Sequence, residues 1–196
     1  MQFAKSISNE EMIKLPLKAF EGSIYVVENN KDIFKAIDYL RQFDRLGFDT
    51  ETKPSFKKGQ TNKVSLLQLS VKNAAFLFRL NGKGLHPEIT KLLADTNIEK
   101  IGVAIKDDII ALQKLRNFEP EAFIDLQTYV KQLGFQNFSL QKLAALVLGF
   151  RISKAKRLSN WESANLTPAQ LKYAATDAWV SLEIYNKLLE AQKTIN

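Results

Sequence analysis

The feature that most constrains this chain is a short strand-like run, Leu46 to Thr52, which carries two acidic residues two positions apart. Its apolar and β-branched residues are typical of a β-strand. Side chains at positions i and i+2 of a strand project from one face, about 6.6–7 Å apart along the backbone. Asp49 and Glu51 therefore project together, and burying like charges without a partner is unfavourable. The pair indicates either a functional site or an exposed edge strand.

The size and composition of the chain are those of one globular domain. It has 196 residues, of which 45% are hydrophobic and 25% charged. The absence of cysteine excludes disulfides, zinc–thiolate sites and thiol nucleophiles, and it suits a reducing compartment, so we expect a cytoplasmic protein. We expect no signal peptide and no membrane span, because no apolar run approaches about 20 residues. The net charge of +7 favours a polyanionic partner, nucleic acid above all.

The order of the predicted elements indicates an α/β fold in which helices flank a mixed β-sheet. Strands are predicted at residues 24–27, 46–52, 63–71, 74–80, 100–105 and 123–126. Helices are predicted at residues 31–43, 88–94, from 106 onward, at 127–133 and at 140–148. Thr167-Pro168-Ala169-Gln170 combines a capping box with proline at the first helical position, which predicts a final helix to about residue 192.

Two further acidic residues are candidates to join the first pair. Asp108 follows a predicted strand at a helix start, where a cap or first-turn carboxylate is an alternative that also explains Asp107. Asp177 lies inside the final helix, and Tyr173 shares its face four residues earlier. Here the alternative is an exposed aspartate on an amphipathic helix. Neither Asp108 nor Asp177, considered alone, distinguishes a functional site from these alternatives.

Taken together, the four carboxylates suggest a metal site. Ligands that are all oxygen suit hard cations such as Mg²⁺ and Mn²⁺. The one histidine, His86, precedes a helix-starting proline and is interpreted as a loop residue, which argues against a zinc site of the usual nitrogen–sulfur type. A strand that supplies two carboxylates and two helices that supply one each match the needs of a two-metal phosphodiesterase. No phosphate-loop, dinucleotide-binding or nucleophile-elbow motif is present.

Three motifs in order resemble the DEDD superfamily of 3′–5′ exonucleases, in its tyrosine-bearing branch, and the chain is similar to ribonuclease D and to the exonuclease domain of the Werner syndrome protein. The motifs are Phe48-Asp49-Thr50-Glu51, residues 101–108 and residues 173–178. Residues 64–69, Ser159-Asn160-Trp161 and Leu166-Thr167 match as well. The resemblance runs from about residue 24 to 190. It implies a single ribonuclease H-like domain over residues 24–192, preceded by an N-terminal extension over residues 1–23.

The resemblance also implies the roles of the site residues. Two divalent metal ions, Mg²⁺ or Mn²⁺, would be held by Asp49, Glu51, Asp108 and Asp177. Asp49 would bridge both ions, and Glu51 and Asp177 would hold the ion that activates water. Asp108 would act on the other ion through a water; Asp107 competes for this role but matches the family position less well. Tyr173 would orient the attacking water, since an ordinary tyrosine pKa of about 10 argues against a general base.

The implied function is a 3′–5′ exonuclease that shortens RNA or DNA from a single-stranded 3′ end and releases nucleoside 5′-monophosphates. The alternative is a non-catalytic nucleic-acid-binding module that retains the fold. Cations for phosphates and aromatic rings for bases are offered by Phe56, Lys57, Lys58, Lys154, Lys156, Arg157 and Trp161. Basic loops can equally be solvated surface, and Trp161 can equally be a packing anchor. The additional helical domain of ribonuclease D is not matched, so the resemblance does not decide whether the substrate is RNA or DNA.

Overall fold

A six-stranded mixed sheet forms the centre of the protein in a computed structural model that describes residues 3–55 and 62–193. The strands are β1 (Ser23–Val27), β2 (Arg45–Thr52), β3 (Val64–Ser70), β4 (Ala74–Arg79), β5 (Glu99–Gly102) and β6 (Phe123–Asp125). They lie in the order β1-β4-β3-β2-β5-β6. The antiparallel meander β2-β3-β4 is central, and β1, β5 and β6 are added in parallel. The predicted α/β fold is confirmed.

Helices cover both faces of the sheet. They are α1 (Asn9–Ile13), α2 (Asn30–Leu40), α3 (Pro87–Leu93), α4 (Lys106–Gln113), α5 (Leu126–Gln132), α6 (Leu140–Leu143) and α7 (Pro168–Lys193). Leu46 and Phe48 of β2 pack in one core cluster with residues of α2, α3 and α4. Gly47, between them, lies against α7. Alternate residues of β2 therefore face two different helical layers. No helix in the described ranges combines the length and the apolar character needed to cross a membrane.

The final helix begins where the sequence predicts and lies directly on the centre of the sheet. The Thr167 hydroxyl accepts a hydrogen bond from the Gln170 backbone N–H, and the Gln170 side chain accepts one from the Thr167 backbone N–H. Small side chains on the buried face, among them Ala174 and Ala178, allow close approach to the strands. At Gly47 an added Cβ would lie 2.0 Å from the Ala178 carbonyl oxygen. This close packing fixes the height of α7 above β2.

Two predicted boundaries are wrong. The helix predicted at residues 31–43 ends at Leu40. The strand predicted at residues 100–105 ends at Gly102, because Ala104 adopts a φ of 57° and donates its N–H to Asp125 Oδ1 at 3.1 Å. Residues 103–105 instead form the turn into α4. The helix predicted at residues 140–148 has the predicted bounds, from the Ser139 cap to Gly149 with a φ of 72°, but it is α-helical only to Leu143 and π-helical over residues 144–148. An apolar run does not distinguish these conformations.

Candidate metal and active site

Three carboxylates meet where β2 passes beneath α7. Asp49 and Glu51 project from the face of β2 that α7 covers, and Asp177 lies on the buried side of α7. One carboxylate oxygen from each of the three residues lies within 4.8 Å of the other two. Glu51 is 8% exposed and Asp177 is 6% exposed, while Asp49 is half-buried. The spacing of the first pair and its convergence with Asp177 agree with the sequence prediction.

The electrostatics of this group are unfavourable without a cation. Burial, reinforced by the charges of Asp177 and Asp108, raises the pKa of Asp49 well above its ordinary value, and the backbone N–H of Thr50 opposes this rise. Burial, followed by the charges of Asp49, Asp177 and Asp108, raises the pKa of Glu51 to about 10. Burial also raises the pKa of Asp177, against a lowering by the Tyr173 hydroxyl. The group therefore retains protons at neutral pH unless a positive charge replaces them.

The donor set fits a hard divalent cation. All three side chains offer oxygen, which suits Mg²⁺ and Mn²⁺. Asp177 Oδ1 is buried and has no hydrogen-bond partner among the described residues. A buried acceptor of this kind is unfavourable unless something satisfies it. A bound cation would satisfy this oxygen and relieve the repulsion among the three carboxylates.

Asp108 lies beside this group rather than within it. It is the third residue of α4, whose N-cap is Ile105, so Asp108 is a first-turn carboxylate of this helix and not its cap. Its carboxylate accepts a hydrogen bond from the Thr50 hydroxyl. Burial raises the pKa of Asp108, the Thr50 hydrogen bond lowers it, and the charge of Asp107 raises it. Asp107 itself is exposed, whereas Asp108 is half-buried and close enough to raise the pKa values of Asp49 and Glu51.

Tyr173 lies one helical turn before Asp177 and is 7% exposed. Burial, then the charges of Asp177 and Glu51, raise the pKa of its phenol above the ordinary value. The hydroxyl is therefore protonated at neutral pH and is able to donate a hydrogen bond, in agreement with the argument against a free general base. Its position beside the carboxylates follows from the four-residue spacing on α7.

One expected nucleic-acid contact is corrected. Trp161 is fully buried, with its ring centroid 6.0 Å from that of Tyr173, and it packs with Leu66 and Ala174. Neither face of the indole is available for base stacking. The structure therefore supports the interpretation of Trp161 as a packing anchor, and its indole supports the ring of Tyr173.

Three of the basic residues expected to contact nucleic acid lie on the segment that precedes α7. Lys154 and Arg157 are exposed, and Lys156 is half-buried. An ion pair of 3.0 Å between Lys53 and Glu162 ties this segment to the end of β2. The other expected contacts, Phe56, Lys57 and Lys58, lie outside the described residues.

Two polar residues near the carboxylates were missed by the sequence analysis. Thr50 projects to the opposite face from Asp49 and holds Asp108. Gln68 is the cross-strand partner of Asp49, is fully buried, and has an unpaired Oε1. The alternation of side chains along β2 could have identified Thr50. A residue between two carboxylates that face α7 has to face the opposite side of the sheet. For Gln68 the signal was strand register, which the sequence did not provide.

A family profile and the sequences of known proteins indicate the same family for this chain. A family profile described as 3′–5′ exonuclease matches residues 24–192. The bifunctional 3′–5′ exonuclease/ATP-dependent helicase WRN of Mus musculus is 35% identical over 184 residues, which cover 89% of this chain and 13% of that protein. Exonuclease 3′–5′ domain-containing protein 2 of Drosophila melanogaster is 35% identical over 155 residues, which cover 77% of this chain and 26% of that protein. The chain thus spans a minor part of these relatives.

Solved structures share the fold. The EXO domain of Nibbler from Aedes aegypti superimposes with a TM-score of 0.82 at 25% identity, covering 91% of this chain and 94% of that one. Trypanosoma brucei RNase D, solved in complex with RNA U12, has a TM-score of 0.74 at 22% identity, covering 95% of this chain and 66% of that one. The fold of this chain is therefore shared by both of these solved structures.

Proposed function

This chain belongs to the 3′–5′ exonuclease family, and we propose that it is a divalent-metal-dependent enzyme that hydrolyses nucleic acid from a single-stranded 3′ end and releases nucleoside 5′-monophosphates. The observation that carries the proposal is the convergence of three carboxylates, two buried and one half-buried, within 4.8 Å. A binding module without chemistry has no need for this arrangement, which burial and mutual repulsion make unfavourable in the absence of a cation.

Two Mg²⁺ or Mn²⁺ ions bound here would lower the pKa of a water and stabilise the attacking and leaving oxygens of the phosphodiester. Asp49, Glu51 and Asp177 would hold them directly, since their oxygens already lie together. Asp108 would act from the other side of β2, where its carboxylate is held by Thr50. Because Glu51 and Asp177 are buried, binding the metal requires them to release protons, so occupancy increases with pH.

The chain's own residues would position the substrate and the water. The protonated Tyr173 hydroxyl, beside Asp177, donates a hydrogen bond that orients the attacking oxygen. Trp161, packed behind Tyr173, restricts the motion of that ring. The exposed Lys154 and Arg157 lie on the segment before α7, which the Lys53–Glu162 ion pair joins to the end of β2, and they would contact phosphates. The degradation assay that follows uses both RNA and DNA, and the relative rates give the preference between them.

The experiment is the degradation of 5′-labelled single-stranded RNA and DNA with Mg²⁺, Mn²⁺ or EDTA. The wild type should give a ladder that shortens from the 3′ end only when metal is present. Asp49→Asn should abolish the ladder, because it removes a ligand and keeps the shape, whereas Asp38→Asn, an exposed residue of α2, should match the wild type. Full activity of Asp49→Asn would refute the site assignment. Retained binding without any cleavage by the wild type would favour the non-catalytic module.

A further inference from the structure

Thr50 joins two parts of the site that otherwise come from different elements. It lies in β2 between Asp49 and Glu51, and its side chain projects to the opposite face of the sheet. There the hydroxyl donates a hydrogen bond to Asp108 Oδ1 from helix α4. Its backbone N–H meanwhile acts on the Asp49 carboxylate. A single residue thus contacts one carboxylate on each side of the strand.

The turn before α4 does not fix Asp108 by itself. Helix α4 has no side-chain cap, and it begins after Ala104, which is held in a left-handed conformation by Asp125. The other hydrogen bond to the Asp108 carboxylate comes from its own backbone N–H. Among the described residues, Thr50 is therefore the side chain that ties Asp108 to the strand of Asp49.

We propose that Thr50 is a positioning residue of the metal site: its hydroxyl holds the Asp108 carboxylate at the edge of β2, at a fixed separation from Asp49. The inference rests on the proposed function, since it concerns how the chain presents Asp108 to the same cations. The Thr50 hydroxyl donates to Asp108 Oδ1, and the carboxylate held in this way would act toward the metal or its water. Partners that orient ligands in this way typically change metal affinity or activity by about 10- to 100-fold when removed.

The test compares two substitutions that separate the hydroxyl from the shape of the side chain. Thr50→Val keeps the branched shape and the backbone N–H and removes the hydroxyl. Thr50→Ser keeps the hydroxyl and removes a methyl group. Thr52→Val, two residues further along β2 and also half-buried, is the matched control. Circular dichroism establishes that each variant is folded, and Mn²⁺ affinity is measured by calorimetry and by the Mn²⁺-dependent rise in melting temperature.

We expect Thr50→Val to bind Mn²⁺ about 10-fold or more weakly, and Thr50→Ser and Thr52→Val to stay within about threefold of the wild type. In an Asp108→Asn background, Thr50→Val should add little, because the hydroxyl acts through that carboxylate. Equal Mn²⁺ affinity of folded Thr50→Val and wild type, or full additivity with Asp108→Asn, would overturn the role of Thr50 alone. A wild type that does not respond to Mn²⁺ would overturn the proposed metal site and this inference with it.

Discussion

Replacing Glu51 by glutamine should stabilise the metal-free protein at neutral pH while abolishing its activity. Glu51 is 8% exposed, and its pKa is raised from 4.5 to about 10 by burial and by the charges of Asp49, Asp177 and Asp108. The folded protein therefore keeps the proton that the unfolded chain releases. A raised folded-state pKa contributes stability that is complete below pH 4.5 and is lost progressively as the pH rises toward 10.

The size of this effect follows from the same two pKa values. One pKa unit corresponds to about 1.4 kcal/mol, so between pH 4.5 and pH 7 the Glu51 group lowers the free energy of unfolding by about 3 kcal/mol. Glutamine is uncharged at every pH and has the same shape, so the variant does not undergo this loss. For a chain of this length about 1 kcal/mol shifts the melting temperature by 2–4 °C. We therefore expect Glu51→Gln to melt roughly 6–12 °C higher than wild type at pH 7 in EDTA.

The assay is thermal unfolding in EDTA at several pH values from 4.5 to 8, for wild type, Glu51→Gln and Glu119→Gln. Glu119 is exposed and serves as the control for removing an acidic residue from the surface. The advantage of Glu51→Gln should be small near pH 4.5 and should grow with pH, while Glu119→Gln follows the wild type. Equal stability of Glu51→Gln and wild type at pH 7, or an advantage that is the same at every pH, would show that Glu51 does not have this raised pKa.

Three further predictions concern the same region. Mn²⁺ should raise the melting temperature of the wild type at pH 7 and should have little effect on Asp177→Asn, because that substitution removes a buried ligand whose Oδ1 has no other partner among the described residues; an equal rise in both proteins would contradict this role. Tyr173→Phe should lower kcat about 10- to 100-fold and leave Mn²⁺ affinity near that of wild type, since the hydroxyl positions water rather than metal; unchanged kcat would exclude that role. Gly47→Ala should lower the free energy of unfolding by more than about 2 kcal/mol in denaturant titration, because its Cβ would lie 2.0 Å from the Ala178 carbonyl oxygen; wild-type stability would show that α7 is free to shift.

Local periodicity accounts for the parts of the site that the sequence predicted. The two-residue alternation of a strand places Asp49 and Glu51 on one face, and the four-residue spacing of a helix places Tyr173 beside Asp177. The capping residues before α7 predicted where that helix begins. Each of these relations lies within one strand or one helix, so the local sequence is enough to predict it.

Relations between elements account for the parts that were missed. The burial of Trp161 depends on its packing against Tyr173 and β3, which no local pattern reports. The pairing of Gln68 with Asp49 depends on strand register. The hydrogen bond between Thr50 and Asp108 depends on where the turn after β5 directs α4, and the apolar residues of that turn predict a strand instead.

We expect Asp49, Glu51 and Asp177 to hold a divalent cation, which anomalous diffraction from crystals grown with Mn²⁺ would locate directly. The account predicts an anomalous peak within coordination distance of carboxylate oxygens from all three residues, and its loss in Asp49→Asn crystals. A wild-type crystal with Mn²⁺ bound elsewhere, and no peak among these three carboxylates, would contradict the account.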